Sequence, residues 1–173
     1  MTIGIDMSPL KSGHYLQHRV RGTGFYLKNL RASLEKYYPE NRYIYFDRED
    51  VLDKKIDIIH YPYFEPFFLT LPVFPKNKTV VTVHDLTPLV FPDNFRSGLK
   101  GNLKWQIQKI ALRNSSAIIT DSVSSKNDII KHTGIKNSKI HVVYLSAGEE
   151  FKRMKDSKLK INNFKNKYHL HEK

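Results

Sequence analysis

The sequence predicts a doubly wound α/β domain built on a mainly parallel sheet. Three observations carry that prediction: six short runs rich in β-branched and aromatic residues, helix-period apolar stripes between them, and runs such as Val80-Val81-Thr82-Val83 that are apolar on both faces. Strands covered by helices on both sides read as continuous apolar runs, and their alternation with helices is the pattern of parallel α/β sheets. At 173 residues the chain is long enough for one well-packed core and too short for two of ordinary size. With 40% hydrophobic residues, 10 Phe and 10 Tyr, a disordered or low-complexity reading fails.

The first strand is Ile3 to Asp6, entered directly from Met1, so neither a signal peptide nor a spanning helix is expected. Gly22-Thr23-Gly24 reads as a loop ahead of a helix from Phe25 to Tyr37, whose Leu27, Leu30 and Leu34 form one stripe. Strands follow at Tyr43 to Phe46 and Ile56 to Tyr61. Pro62 to Asn77 holds four prolines and five Phe or Tyr residues and reads as a long loop. Such loops usually carry function, and aromatic packing beneath the sheet edge is the competing reading.

A fourth strand, Thr79 to His84, leads to a helix from Ser97 to Arg113 with Leu99, Leu103, Ile107, Ile110 and Ala111 at spacings of three and four. Ala117 to Thr120 is the fifth strand. Ser125 and Asp128 form a capping-box pattern for a third helix that Gly134 would end, and Ile140 to Tyr144 is the sixth strand. After Ser146-Ala147-Gly148 the rhythm stops, dividing the chain into a domain of residues 1–150 and a basic segment, 151–173, that reads as a linker or helix leading onward.

The formal net charge is +12, of which residues 1–75 carry +1 and residues 76–173 carry +11, with +6 in residues 151–173 alone. Such a surplus attracts phosphates of nucleic acid, anionic lipid or a small molecule. Zinc-finger spacing, RNA-recognition aromatics and a helix-turn-helix pattern are all missing, which disfavours nucleic acid. The chain has no cysteine, which excludes disulfides, thiolate metal sites and a cysteine nucleophile.

Two motifs point to a site. Gly22-Thr23-Gly24 offers backbone amides at a helix start, where phosphate binds, but lacks the dinucleotide and Walker patterns. His84-Asp85 closes the fourth strand, where open α/β sheets place ligands: the imidazole can donate to a sugar hydroxyl or a phosphate oxygen, and Asp85 can orient it or cap the next turn. A structural turn and a histidine satisfied by backbone carbonyls are the plainer readings of the two. His14 and His18, four apart in the loop expected after the first strand, read as surface groups, and Glu149-Glu150 as neighbours without a common site.

Taken in order, Gly22-Thr23-Gly24-Phe25-Tyr26-Leu27-Lys28-Asn29-Leu30, Val81-Thr82-Val83-His84-Asp85-Leu86-Thr87-Pro88, Phe91-Pro92, Ile118-Ile119-Thr120-Asp121-Ser122 and Lys139-Ile140-His141-Val142-Val143-Tyr144 resemble the N-terminal half of family 4 glycosyltransferases. The resemblance implies one half of a GT-B architecture, a retaining enzyme that moves sugar from a nucleotide sugar, such as a GDP- or UDP-sugar, to a glycan or lipid-linked acceptor. It implies no metal or other cofactor. Gly22, Thr23 and Gly24 match the loop near the donor diphosphate, His84 matches the histidine that approaches the donor sugar, and Asp85 matches its neighbour in the motif.

The family's C-terminal domain carries two glutamates eight positions apart, and no two glutamates here have that spacing. The resemblance therefore implies that residues 151–173 lead toward a C-terminal domain that acts as partner, and that the chain by itself is inactive. Arg96, Lys100 and Lys104, with the aromatic segment of Tyr61, Tyr63 and Phe64, are expected to meet the acceptor or an anionic membrane, placing the protein in the cytoplasm at the inner membrane face. A stand-alone module that binds a phosphorylated ligand, a glycan or a membrane without catalysis is the alternative.

Overall fold

A computed structural model describes residues 1–10, 20–47, 55–148, 151 and 158–170. Six strands form one all-parallel sheet: β1 (Thr2–Asp6), β2 (Arg42–Phe46), β3 (Ile58–Tyr61), β4 (Lys78–Thr82), β5 (Ala117–Thr120) and β6 (Ile140–Val142), in the order β2-β1-β3-β4-β5-β6. The helices are α1 (Val20–Tyr37), the short α2 (Thr87–Val90), α3 (Gly98–Asn114), α4 (Val123–Thr133) and α5 (Lys158–Lys167). All six predicted strands are present.

The chain winds from β1 outward to β2, then crosses back to β3 on the other side of β1 and continues in one direction to β6. Right-handed crossovers running in opposite directions put their helices on opposite faces, so α1 covers one face while α3 and α4 share the other. This is a Rossmann-like α/β fold, and the reversal between β1 and β3 makes a crevice at the carboxyl ends of the strands. The larger core lies under α3 and α4, where Val81, Val83, Ile118 and Ile140 of the sheet meet Trp105, Leu112 and Ile129. A smaller cluster of Phe46, Ile56 and Ile59 fills the other end. Gly4 in β1 is needed there, because a Cβ would lie 3.2 Å from Ile56 and 3.4 Å from Phe46.

Three local expectations are corrected. Helix α1 begins at Val20, so Gly22, Thr23 and Gly24 lie within its first turns and are no preceding loop. The cap of α4 is Ser122, whose Oγ accepts from the Ser125 N–H at 3.0 Å, so Ser125 is inside the helix. Gly134 does end α4, in the left-handed conformation with φ of 72°. On α3 the predicted stripe faces outward in part: Leu99 is 91% exposed, Leu103 64% and Ile110 47%, whereas Ile107 is half-buried and Ala111 is buried with Gly101, Trp105, Gln108 and Leu112.

Residues 62–77 form a long loop without helix or strand, held by Asn114, whose Nδ2 donates to the Val73 carbonyl at 2.9 Å, and by Gln108. Gln108 Oε1 accepts from the Thr70 N–H at 2.8 Å, the Thr70 hydroxyl at 2.9 Å and the Leu71 N–H at 2.9 Å, and its Nε2 donates to the Leu71 carbonyl at 3.3 Å. Among the described residues no helix is long and apolar enough to cross a membrane.

Candidate functional site

Two cavities open at the carboxyl end of the sheet. The first, about 360 Å³, is walled by Gly22, Thr23 and Tyr26 of α1, Tyr63 to Pro66 of the long loop, His84 and Asp85 after β4, and Leu145 after β6. Its polar wall grows from strand ends, because parallel strands release their chains together at that edge. The second, about 680 Å³, lies along the start of α3 and is lined by Phe67, Phe68, Phe95, Arg96, Lys100 and Lys104 among others. Glu65, Asp85 and Pro88 line both, so the two are adjoining chambers.

His84 is the best-supported polar group of the smaller cavity. Its Nδ1 lies 2.7 Å from Asp121 Oδ2, at the end of the neighbouring strand β5. Tyr26 meets the imidazole edge-on, with ring centroids 4.9 Å apart and planes at 90°. The Tyr26 hydroxyl is 3.3 Å from Thr82 Oγ1, which is 2.8 Å from Nε2 of buried His60. Burial raises the Tyr26 phenol above its usual range, against the Thr82 hydrogen bond that lowers it, and the Asp121 charge pushes the same way as burial. Burial, with repulsion from His84 as the smaller cause, lowers His60 to about 4, so that ring is neutral at physiological pH.

The other His84 nitrogen, Nε2, is buried and has no partner among the described residues. A buried ring nitrogen without a partner costs roughly 1–3 kcal/mol, and such a group in a cavity wall is one that a ligand satisfies. Asp85, by contrast, is exposed, and its Oδ1 accepts from the Thr87 N–H at 2.8 Å and caps the start of α2. Asp85 thus takes the capping role and Asp121 the orienting one.

Gly22 is the third residue of α1 and is exposed. A Cβ there would meet nothing within 4 Å, and the space above the backbone is open to the cavity. Gly24 is buried and does not line it. Thr23 does.

Of the aromatic residues expected at the site, Tyr63 and Phe64 line the smaller cavity, whereas Tyr61 packs against both cores and meets Phe46 edge-on at 6.4 Å. Lys100 and Lys104, four apart on α3, gather in the groove with Arg96 from the segment before that helix, and Lys104 Nζ lies 5.6 Å from the centre of the Phe68 ring. His14, His18 and Glu149-Glu150 lie outside the described residues. Among those described, no three His, Asp or Glu side chains gather as metal ligands do. Asp121, Tyr26, Thr82 and His60 were missed as site residues, although Asp121 stands at a strand end just as His84 does.

No curated protein matches the sequence. The model of Glycosyltransferase Family 4 matches residues 11–146, from before α1 to the segment after β6, and so takes in every wall of both cavities. With that match over most of a parallel α/β fold whose open edge carries both chambers, the chain belongs to glycosyltransferase family 4 and is a domain of glycosyltransferase type.

Proposed function

We propose that this domain is the acceptor-side half of a retaining GT-B glycosyltransferase that moves a sugar from a nucleotide sugar to a glycan or lipid-linked acceptor. The observation that carries the reading is the buried, unpartnered Nε2 of His84, a residue that lines a cavity adjoining a basic, aromatic groove. In this reading His84 aligns the donor sugar, and Gly22 and Thr23 face the diphosphate, where a helix N-terminus stabilises the negative charge that grows as the leaving group departs. Gly24 supports that turn from beneath. Asp85 holds the start of α2, between the chambers. No metal takes part.

The acceptor occupies the groove, its anionic part meeting Arg96, Lys100 and Lys104 and its apolar part meeting Phe67, Phe68 and Phe95. Nearby Phe91, Leu99 and Leu103 are exposed beside these cations, a combination suited to an anionic membrane at the cytoplasmic face. Residues 151–173 lead to a second α/β domain that supplies the spaced glutamates and most nucleoside contacts, and residues 1–173 alone have no turnover.

Two steps test this. The reading frame carried past codon 173 is expected to encode a second α/β domain with two glutamates eight apart, and a stop at that point would favour a ligand-binding module. In the protein so encoded, transfer from a panel of GDP- and UDP-sugars is expected, and His84→Ala is expected to lower kcat/KM about 100-fold or more. Full activity of His84→Ala would overturn the assignment of His84.

A further inference from the structure

We propose that Asp121 is a positioning residue that fixes the tautomer of His84 and thereby decides which ligand atoms the cavity accepts. The proposal rests on the reading of His84 as the group that meets the ligand. An ionised carboxylate only accepts hydrogen bonds, so the 2.7 Å contact between Asp121 Oδ2 and Nδ1 requires the hydrogen to sit on Nδ1. In the neutral ring the remaining nitrogen, Nε2, then carries a lone pair. That atom has no partner among the described residues, and His84 lines the smaller cavity.

The ring is held on its other side as well. Tyr26 presses edge-on against it at 4.9 Å and is anchored through Thr82 to buried His60, so the imidazole cannot swing away without breaking a chain of buried polar contacts. A lone pair at Nε2 accepts from a hydroxyl or an N–H and repels the oxygen of a carboxylate or phosphate. A ligand group that reaches this atom must therefore bring a hydrogen, as a hydroxyl does. An imidazole without Asp121 would be free to place its hydrogen on Nε2 and would lose that discrimination.

The experiment reads the tautomer directly, by long-range 1H–15N correlation of the histidine rings in the 173-residue chain, under conditions where the spectrum shows the imidazole uncharged. The hydrogen is expected on Nδ1 in the native chain and in Asp121→Glu, which keeps an acceptor-only group, and on Nε2 in Asp121→Leu. A native chain with the hydrogen on Nε2, or an Asp121→Leu variant that keeps it on Nδ1, would overturn the proposal. If Asp121→Leu does not fold, the native spectrum still decides. Because no nucleotide sugar is added, the result is independent of the transferase reading: a native Nδ1–H with inactive full-length protein sinks that reading alone, and Nε2–H with active protein sinks this one alone.

Discussion

The pocket at His84 and the groove along α3 share Glu65, Asp85 and Pro88, yet they are assembled from different parts of the protein. The pocket's polar wall is backed by strand ends and buried side chains: His84 after β4 lines it, and behind it stand Asp121 after β5, Thr82 and His60, joined by hydrogen bonds. The groove is made from the surface of one helix and a loop, with long cations and rings that solvent reaches. A charge fixed by buried neighbours can set the geometry of a reacting group, whereas a charge on a flexible stem in water supplies attraction and little orientation. The pocket is thus the place for chemistry, and the groove the place for recognition.

The variant expected to erase the comparison altogether is Gln108→Leu. It removes the acceptor shared by Thr70 and Leu71, so the loop whose residues wall both chambers loses its buried anchor; the loss of stability is expected at about 3 kcal/mol, read from the denaturant midpoint. A midpoint unchanged from the native chain would show that the loop is held by other means.

Replacing Arg96, Lys100 and Lys104 together by Glu should break the groove and spare the pocket. Cosedimentation with anionic vesicles at low salt is expected to fall at least 10-fold, since each cation near such a surface contributes about 1 kcal/mol. The unfolding midpoint should stay within about 0.5 kcal/mol because these side chains lie at the surface. Equal binding by native chain and triple variant would remove the groove's role.

The buried side of the comparison has an acid signature. His60 binds a proton near pH 6.5 when unfolded and only at about 4 when folded, so between those values the unfolded state holds more protons and stability falls as pH falls. From pH 8 to pH 5 the loss from this group is about 2 kcal/mol. His60→Gln, which keeps a polar partner for Thr82 without titrating, should flatten that part of the curve; an identical slope in the variant would assign it to other groups.

The smallest effect is expected at Gly22→Ala. Its backbone is helical and a Cβ would meet open space, so stability should rise by about 0.5–1 kcal/mol while the methyl narrows the approach to the helix amide. Thermal unfolding checks the sign, and a fall would mean that the first turn of α1 needs glycine for its shape.

The strands were legible because burial on both faces forces the short continuous runs that mark them, as in Val80 to Val83 and Ile118 to Thr120. On α3 the same periodicity misled. The helix is apolar on two sides, and spacing alone cannot tell which side meets the sheet: Trp105, Gln108, Ala111 and Leu112 do, while Leu99, Leu103 and Ile110 face out. The glycines of α1 read as a loop because they are poor helix formers, a local preference that the surrounding fold overrides.

His84 was legible from its place at a strand end, but its partner was not. Asp85 was the nearer carboxylate in sequence, yet successive residues of extended chain point to opposite sides, and the carboxylate that shares a side with His84 comes from the adjacent strand, 37 residues later. Proximity across a sheet is a tertiary fact. His60, Thr82 and Tyr26 are joined in the same way, through neighbours that only the strand order creates.

Gln108 has one more consequence. By accepting from two successive backbone amides and donating to a carbonyl, its amide stands in for a neighbouring strand, and the irregular segment at Thr70 and Leu71 is bonded as sheet without being sheet. In hydrogen–deuterium exchange those two amides should therefore open with α3 and not with the loop that contains them. A displacement of α3 is then carried through this clamp to the segment that separates the walls of the two chambers.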